Sequence, residues 1–104
     1  MNKTDKFNIY IGLLKNDMKT KINKQFALNT ISDLLTKHNI IGFNIELNTI
    51  GFYKGIKEDN IKLSFINTYD LKTKEIIIIL QELKIKLNQE CILLEKEKVL
   101  YNFV

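Results

Sequence analysis

The chain has 104 residues and a mass of 12.2 kDa, the size of one ordinary domain with no room for a second. Lysine supplies all 16 basic residues against 12 acids, for a net charge of +4, and a hydrophobic content of 45% excludes a wholly disordered chain. A single cysteine, Cys91, and a single histidine, His38, exclude an internal disulfide and any zinc site built from those two residue types alone.

Phe7, Ile9, Ile11 and Leu13 alternate with Asn8, Tyr10 and Gly12, the period of a half-buried strand. Lys15–Lys24 follows as a polar loop. From Gln25 to His38 the pattern turns helical, with Ala27, Ile31, Leu34, Leu35 and His38 on one face, and Asn39 is its stop. A second strand is expected where Phe43, Ile45 and Leu47 alternate with Asn44, Glu46 and Asn48. Thr49–Asn60, with Gly51 and Gly55 bracketing Phe52, Tyr53 and Lys54, reads as a long structured hairpin loop, and Ile61, Leu63 and Phe65 mark a third strand. Asp70 is a suitable helix N-cap. The span Leu71–Leu87 contains a run of isoleucines with strand propensity, yet Ile76, Leu80, Leu83 and Leu87 keep a helical stripe, so a helix is predicted. Gln89–Leu94 reads as a short strand, Glu95–Lys98 as a charged turn and Val99–Val104 as a last strand.

The order β-α-β-β-α-β plus an extra C-terminal strand predicts an α+β, ferredoxin-like domain over residues 1–104. Its split antiparallel sheet has both helices on one face, and right-handed crossovers place the first and third strands in the middle. The longest fully apolar run, Ile76–Leu80, is far short of the roughly 20 residues that span a bilayer, and no signal-peptide core follows the N-terminus. A cytoplasmic protein with a reduced thiol is expected.

Four short stretches occur in a suggestive order: Gly42-Phe-Asn-Ile45, Gly51-Phe-Tyr-Lys-Gly55, Glu58-Asp-Asn60 and Gln89-Glu-Cys-Ile-Leu93. Together they resemble a small bacterial and phage ferredoxin-like family of unknown function, with the pattern G-[FL]-T-[IV], G-x-[WY]-x-G, E-x-S and a closing Q-E-S-V-L. The resemblance implies the fold and no particular activity. It would put Tyr53 in the aromatic slot, Glu58 in the acid slot and Gln89-Glu90 in the closing pair. Asn44, Asn60 and Cys91 stand where the pattern has hydroxyl residues.

Three sets of candidate site residues follow. Ile50, Phe52, Tyr53, Lys54 and Ile56 put large side chains between glycines, an arrangement suited to anchoring a partner protein. Lys15, Lys19, Lys21 and Lys24 concentrate positive charge that could meet an acidic partner, because all the excess charge lies in the first forty residues. The absence of arginine counts against nucleic-acid reading. A ligand cleft built from Tyr53, Glu58, Gln89 and Glu90 is the second candidate, with the two glutamates as an acid/base pair. Tyr10, Ile66, Ile92 and Leu94, assigned to the open face of the sheet, are candidates for self-association as a homodimer.

Cys91, inside an apolar stretch, is expected to be packing rather than a nucleophile. No catalytic constellation, phosphate-cradling glycine loop or metal-ligand spacing is present, so the sequence implies no cofactor and no metal. The leading expectation is a small binding protein of phage or mobile-element origin that inhibits host defence machinery by occluding a surface. A dimeric ferredoxin-like enzyme or small-ligand binder is the alternative, and a nucleic-acid binder led by the lysine loop is the third.

Overall fold

A computed structural model describes all residues, 1–104. Six elements run in the order β1 (Asn2–Gly12), α1 (Lys24–Lys37), β2 (Asn44–Tyr53), β3 (Ile56–Ile66), α2 (Thr73–Lys86) and β4 (Leu93–Tyr101). The sheet is antiparallel with strand order β2-β3-β1-β4, so β1 and β3 are central as the crossover rule requires. This is the ferredoxin-like arrangement. Neither helix is long and apolar enough to cross a membrane.

One side of the sheet is dry. Phe7, Ile9 and Ile11 of β1 and Ile61, Leu63 and Phe65 of β3 are buried against Ala27, Ile31, Leu34 and Leu35 of α1 and Ile76, Ile79, Leu80 and Leu83 of α2. The isoleucine run is therefore helical, because its outer members Ile77 and Ile78 remain exposed while Ile76 and Ile79 face the sheet. Asn23 caps α1 by accepting the Phe26 amide at 3.0 Å, and Asn39 and Asn88 end the helices in left-handed conformations. Asp70 does not cap α2: Lys72 is the cap residue, and Asp70 takes a left-handed turn conformation instead.

Three boundaries differ from the sequence reading, each for a physical reason. Thr49–Asn60 is not a long loop. β2 and β3 continue to a two-residue turn at Lys54-Gly55, both with positive φ, the hairpin geometry that matches strand twist. A bulge between Glu46 and Thr49, with Asn48 left-handed, breaks the alternation that periodicity relies on. Glu95–Lys98 is not a turn, and there is no separate fifth strand. One strand, β4, runs through it along the sheet edge, where alternating charge blocks edge-to-edge pairing. Its charged side chains find partners on β1: Lys98 lies 2.8 Å from the Asp5 carboxylate, and Glu97 accepts from the neutral Asn8 amide at 3.0 Å. The N-terminal residues Asn2–Lys6 join the sheet through the same pairing.

Length mismatch shapes the surface. The two helices have 14 residues each, about 21 Å at 1.5 Å per residue. Strands of 11 residues extend about 36 Å at 3.3 Å per residue. The sheet therefore runs beyond its helical cover, and the molecule measures 44 × 26 × 24 Å. Ile50 and Phe52 on the overhanging hairpin stay exposed for this reason.

Candidate functional site

The other face of the sheet carries Asn8, Tyr10 and Gly12 from β1 and Glu58, Asn60, Lys62 and Ser64 from β3, by register. Toward the hairpin end this open face deepens into a cleft of about 340 Å³. Its floor and walls come from Tyr10, Gly12, Gly51, Tyr53, Glu58 and Asn60 on the sheet. Gln89, Glu90, Cys91 and Leu93 before and within β4, and Lys15 and Met18 from the β1–α1 loop, complete the lining.

Two glycines make the cleft possible. A Cβ at Gly12 would run into the Glu58 carboxylate, which lies across the bare backbone of β1. A Cβ at Gly51 would meet the Asn60 side-chain amide in the same way. Asn60 is held by Thr49, whose one hydroxyl proton is shared between the Asn60 side-chain oxygen and the Asn60 backbone carbonyl, the latter at 2.8 Å. Strands β1, β2 and β3 thus present polar side chains over flat backbone at one level of the sheet.

Glu58 has no salt-bridge partner. Burial pushes its carboxyl pKa up, and hydrogen bonding from the Leu14 amide opposes that shift only in part. Glu90 is different: its Oε1 lies 2.6 Å from the Lys54 ammonium at the hairpin tip. That hydrogen bond, with the attraction of the charge, holds Lys54 above the ordinary lysine range. Tyr53 is raised by hydrogen bonding with the neighbouring Cys91 and by burial. Tyr10 is raised by hydrogen bonding with Glu95 and by burial, while Lys62 sits over its ring at 5.7 Å. The cleft therefore concentrates two carboxylates and two aromatic rings, an arrangement suited to a cation carrying a flat group.

Gln89 acts on the wall rather than in the space. Buried, it donates from Nε2 to the Leu14 carbonyl at 2.8 Å, and the Asn16 amide donates to the Asn88 carbonyl at 2.8 Å. These bonds fasten the segment before β4 to the β1–α1 loop and so position Glu90.

The four residues expected to form a ligand cleft, Tyr53, Glu58, Gln89 and Glu90, do line one cleft. Among the residues expected to anchor a partner, Phe52 and Ile50 are 73% and 56% exposed at the cleft rim, and Ile56 is 40% exposed. The four lysines do not form one cluster. Lys15 lines the open-face cleft and, with Lys21, a shallow hollow beside α1; Lys21 and Lys24 line another; Lys19 is exposed to solvent. Lys24 donates to Asn48 at 3.1 Å.

The self-association set is split as well. Tyr10 and Ile66 belong to the open face, but Leu94 pairs with Ile9 and packs with Ile92 against the core, so neither is on that face. Leu93, one residue earlier, takes the open-face place. Cys91 is not strand packing: it is exposed ahead of β4 and lines the cleft. Gly12 and Met18 were not legible as site residues; the only signal for Gly12 is a glycine inside a strand, which marks close approach of another group.

No protein-family model matches the chain, and no curated protein matches it. Solved structures do share its fold. A phage SAM lyase in its apo state superposes with a TM-score of 0.73 at 16% identity, covering 92% of this chain and 81% of that one. The phage SAM lyase in complex with S-methyl-5′-thioadenosine gives a TM-score of 0.60 at 15% identity, over 89% of this chain and 79% of that one. CPII, a nitrogen regulatory PII-like protein from Thiomonas intermedia K12, bound to ADP, AMP and bicarbonate, gives 0.53 at 16% identity over 98% of both chains. At such identities the likeness is one of fold.

Proposed function

We propose that the chain is an enzyme acting on S-adenosylmethionine, which it takes into the open-face cleft and cleaves to S-methyl-5′-thioadenosine. The observation that carries the reading is Glu58: a partly buried carboxylate, laid over Gly12 at the cleft, with no salt-bridge partner. Such a group is stabilised by an incoming positive charge, and S-adenosylmethionine brings two, a sulfonium and an ammonium. Tyr10 and Tyr53 offer ring faces for the adenine. The likeness in fold to a phage SAM lyase supports the same choice of ligand.

Cleavage without water breaks the bond between sulfur and the γ-carbon of the methionine part, and the electron pair passes to sulfur. The carboxylate of the four-carbon remainder attacks that carbon as sulfur leaves, closing a lactone, so no proton has to be transferred. Charge disappears from sulfur in this step, so a partly desolvated cleft favours the neutral thioether over the sulfonium. Glu58 and Glu90 hold the ammonium end while the bond breaks.

Incubation of the purified protein with S-adenosylmethionine, followed by chromatography, tests the reading. S-methyl-5′-thioadenosine is expected to appear as substrate is consumed, and Glu58→Gln is expected to slow its release about 10- to 150-fold, the equivalent of one charged hydrogen bond. Absence of product, together with no binding of either compound, would overturn it.

A second reading rests on the exposure of Phe52 and Ile50. In it a protein of phage or mobile-element origin uses the projecting hairpin to occlude a host defence protein. Recovery of a stoichiometric partner that is lost on Phe52→Asp, with ligand binding intact, would favour this reading; failure to recover any partner would sink it. Homodimerisation through the open face, at Tyr10, Ile66 and Leu93, would show as a doubled mass by light scattering. Each of these readings calls for a cytoplasmic protein.

A further inference from the structure

Lys54 sits at an unusual place for a lysine. It is the first residue of the two-residue hairpin turn, with φ of 51°, a left-handed conformation that glycine or asparagine adopts more readily. Its side chain reaches from the hairpin tip to the opposite wall of the cleft and meets Glu90 at 2.6 Å, passing 5.5 Å from the Tyr53 ring centre. This contact joins the β2–β3 turn to the segment before β4, 36 residues apart in sequence. Glu58, the other carboxylate of the cleft, has no such partner. One acid of the pair is thus internally neutralised and the other is not.

Resting on the reading of the cleft as a site for a cationic adenosyl ligand, we propose that Lys54 is a built-in competitor for that ligand's positive charge. In the empty cleft the lysine ammonium occupies Glu90. A cationic ligand displaces it, and the hairpin tip is released. Cleavage leaves the ammonium on the small four-carbon fragment; once that fragment departs, Lys54 recovers Glu90, and neutral S-methyl-5′-thioadenosine leaves.

The exchange is physically easy in both directions. The Lys54 and Glu90 side chains are 60% and 40% exposed, so the freed ammonium is hydrated at once, and surface ion pairs of this kind are weak. Nothing lies within 4 Å of where a side chain on Gly55 would begin, so the tip has space in which to swing. The latch therefore acts as a specificity device: it lowers affinity for cations modestly and leaves neutral ligands untouched.

The test compares wild type, Lys54→Met and Lys54→Arg by titration calorimetry at low ionic strength. Two ligands are used: sinefungin, in which a protonated amine stands in for the sulfonium, and neutral S-methyl-5′-thioadenosine. Lys54→Met is expected to bind sinefungin roughly two- to five-fold more tightly than wild type, with S-methyl-5′-thioadenosine unchanged. Lys54→Arg, which keeps the charge, is expected to retain the wild-type ratio. Equal changes for both ligands in Lys54→Met, or weaker binding of sinefungin, would overturn the latch while leaving the cleft in place. Binding of neither ligand by any of the three proteins would overturn the cleft reading and the latch with it.

Discussion

Replacing Gly12 with alanine sets a methyl group against the Glu58 carboxylate. The obstacle is the far end of a flexible side chain, and Gly12 lies in β1 without a left-handed dihedral, so the fold can accept the change. Alanine in a strand interior gains about 0.5–1 kcal/mol over glycine. Forcing Glu58 off its preferred rotamer costs about 0.5–1.5 kcal/mol. The two nearly cancel, and the melting temperature is expected to stay within about 5 °C of wild type.

Binding is expected to respond quite differently to Gly12→Ala. A hydrogen bond to a charged group is worth about 1.5–3 kcal/mol, so moving Glu58 off the cleft should weaken sinefungin about 10- to 150-fold. Thermal denaturation and titration calorimetry on the same sample measure both quantities. A folded Gly12→Ala protein with unchanged affinity would refute the role given to Glu58. A drop of more than 10 °C would refute the view that Gly12 serves the cleft rather than the fold.

The remaining predictions concern stability. Leu63→Ala, in the centre of the core with no exposed surface, should cost about 2–5 kcal/mol and lower the melting temperature by at least about 10 °C. Gln89→Ala leaves the Leu14 carbonyl without its donor, so about 1–2 kcal/mol should be lost in urea unfolding, with weaker ligand binding as the wall loosens. Burial raises the Glu58 pKa above its unfolded value, so its stabilising contribution is present below the ordinary carboxylate range and disappears as pH rises through the folded pKa. Glu58→Gln should therefore be more stable than wild type at neutral pH while binding ligand worse. Asp17 behaves in the opposite sense. The Thr20 hydroxyl and the Thr20 and Lys19 amides hold it at about 2 against an unperturbed 3.8, so its contribution is present above that value and lost as pH falls through about 2. The stability difference between wild type and Asp17→Ala, followed by urea titration across this range, should shrink toward acid pH.

Periodicity carried the fold because the core is simple: Phe7, Ile9, Ile11, Ile61, Leu63 and Phe65 keep strict alternation, and Ile76, Leu80 and Leu83 keep the helical stripe. It failed where a second constraint overrides burial. On β4, Glu97 and Lys98 stand opposite Lys6 and Asp5 of β1 along the sheet edge, and composition alone makes such a charged stretch resemble a turn. In Thr49–Asn60 the helices end before the strands do, so Ile50 and Phe52 lose the buried face that would have marked them as strand. The cleft was partly legible. Tyr53, Glu58, Gln89 and Glu90 could be grouped from ordered motifs, whereas Gly12 and Gly51 matter only through what lies over them, Glu58 and Asn60. The ion pair between Lys54 and Glu90 depends on hairpin geometry that no local pattern reveals.

Backbone amide shifts recorded while S-methyl-5′-thioadenosine is added to the labelled protein test the central claim most directly. Saturable shifts are expected at Gly12, Gly51, Asn60 and Cys91, which surround the open-face cleft, with Thr30 and Lys86 on the helical side unmoved. Shifts confined to the helical side, or no saturable shift at all, would contradict it.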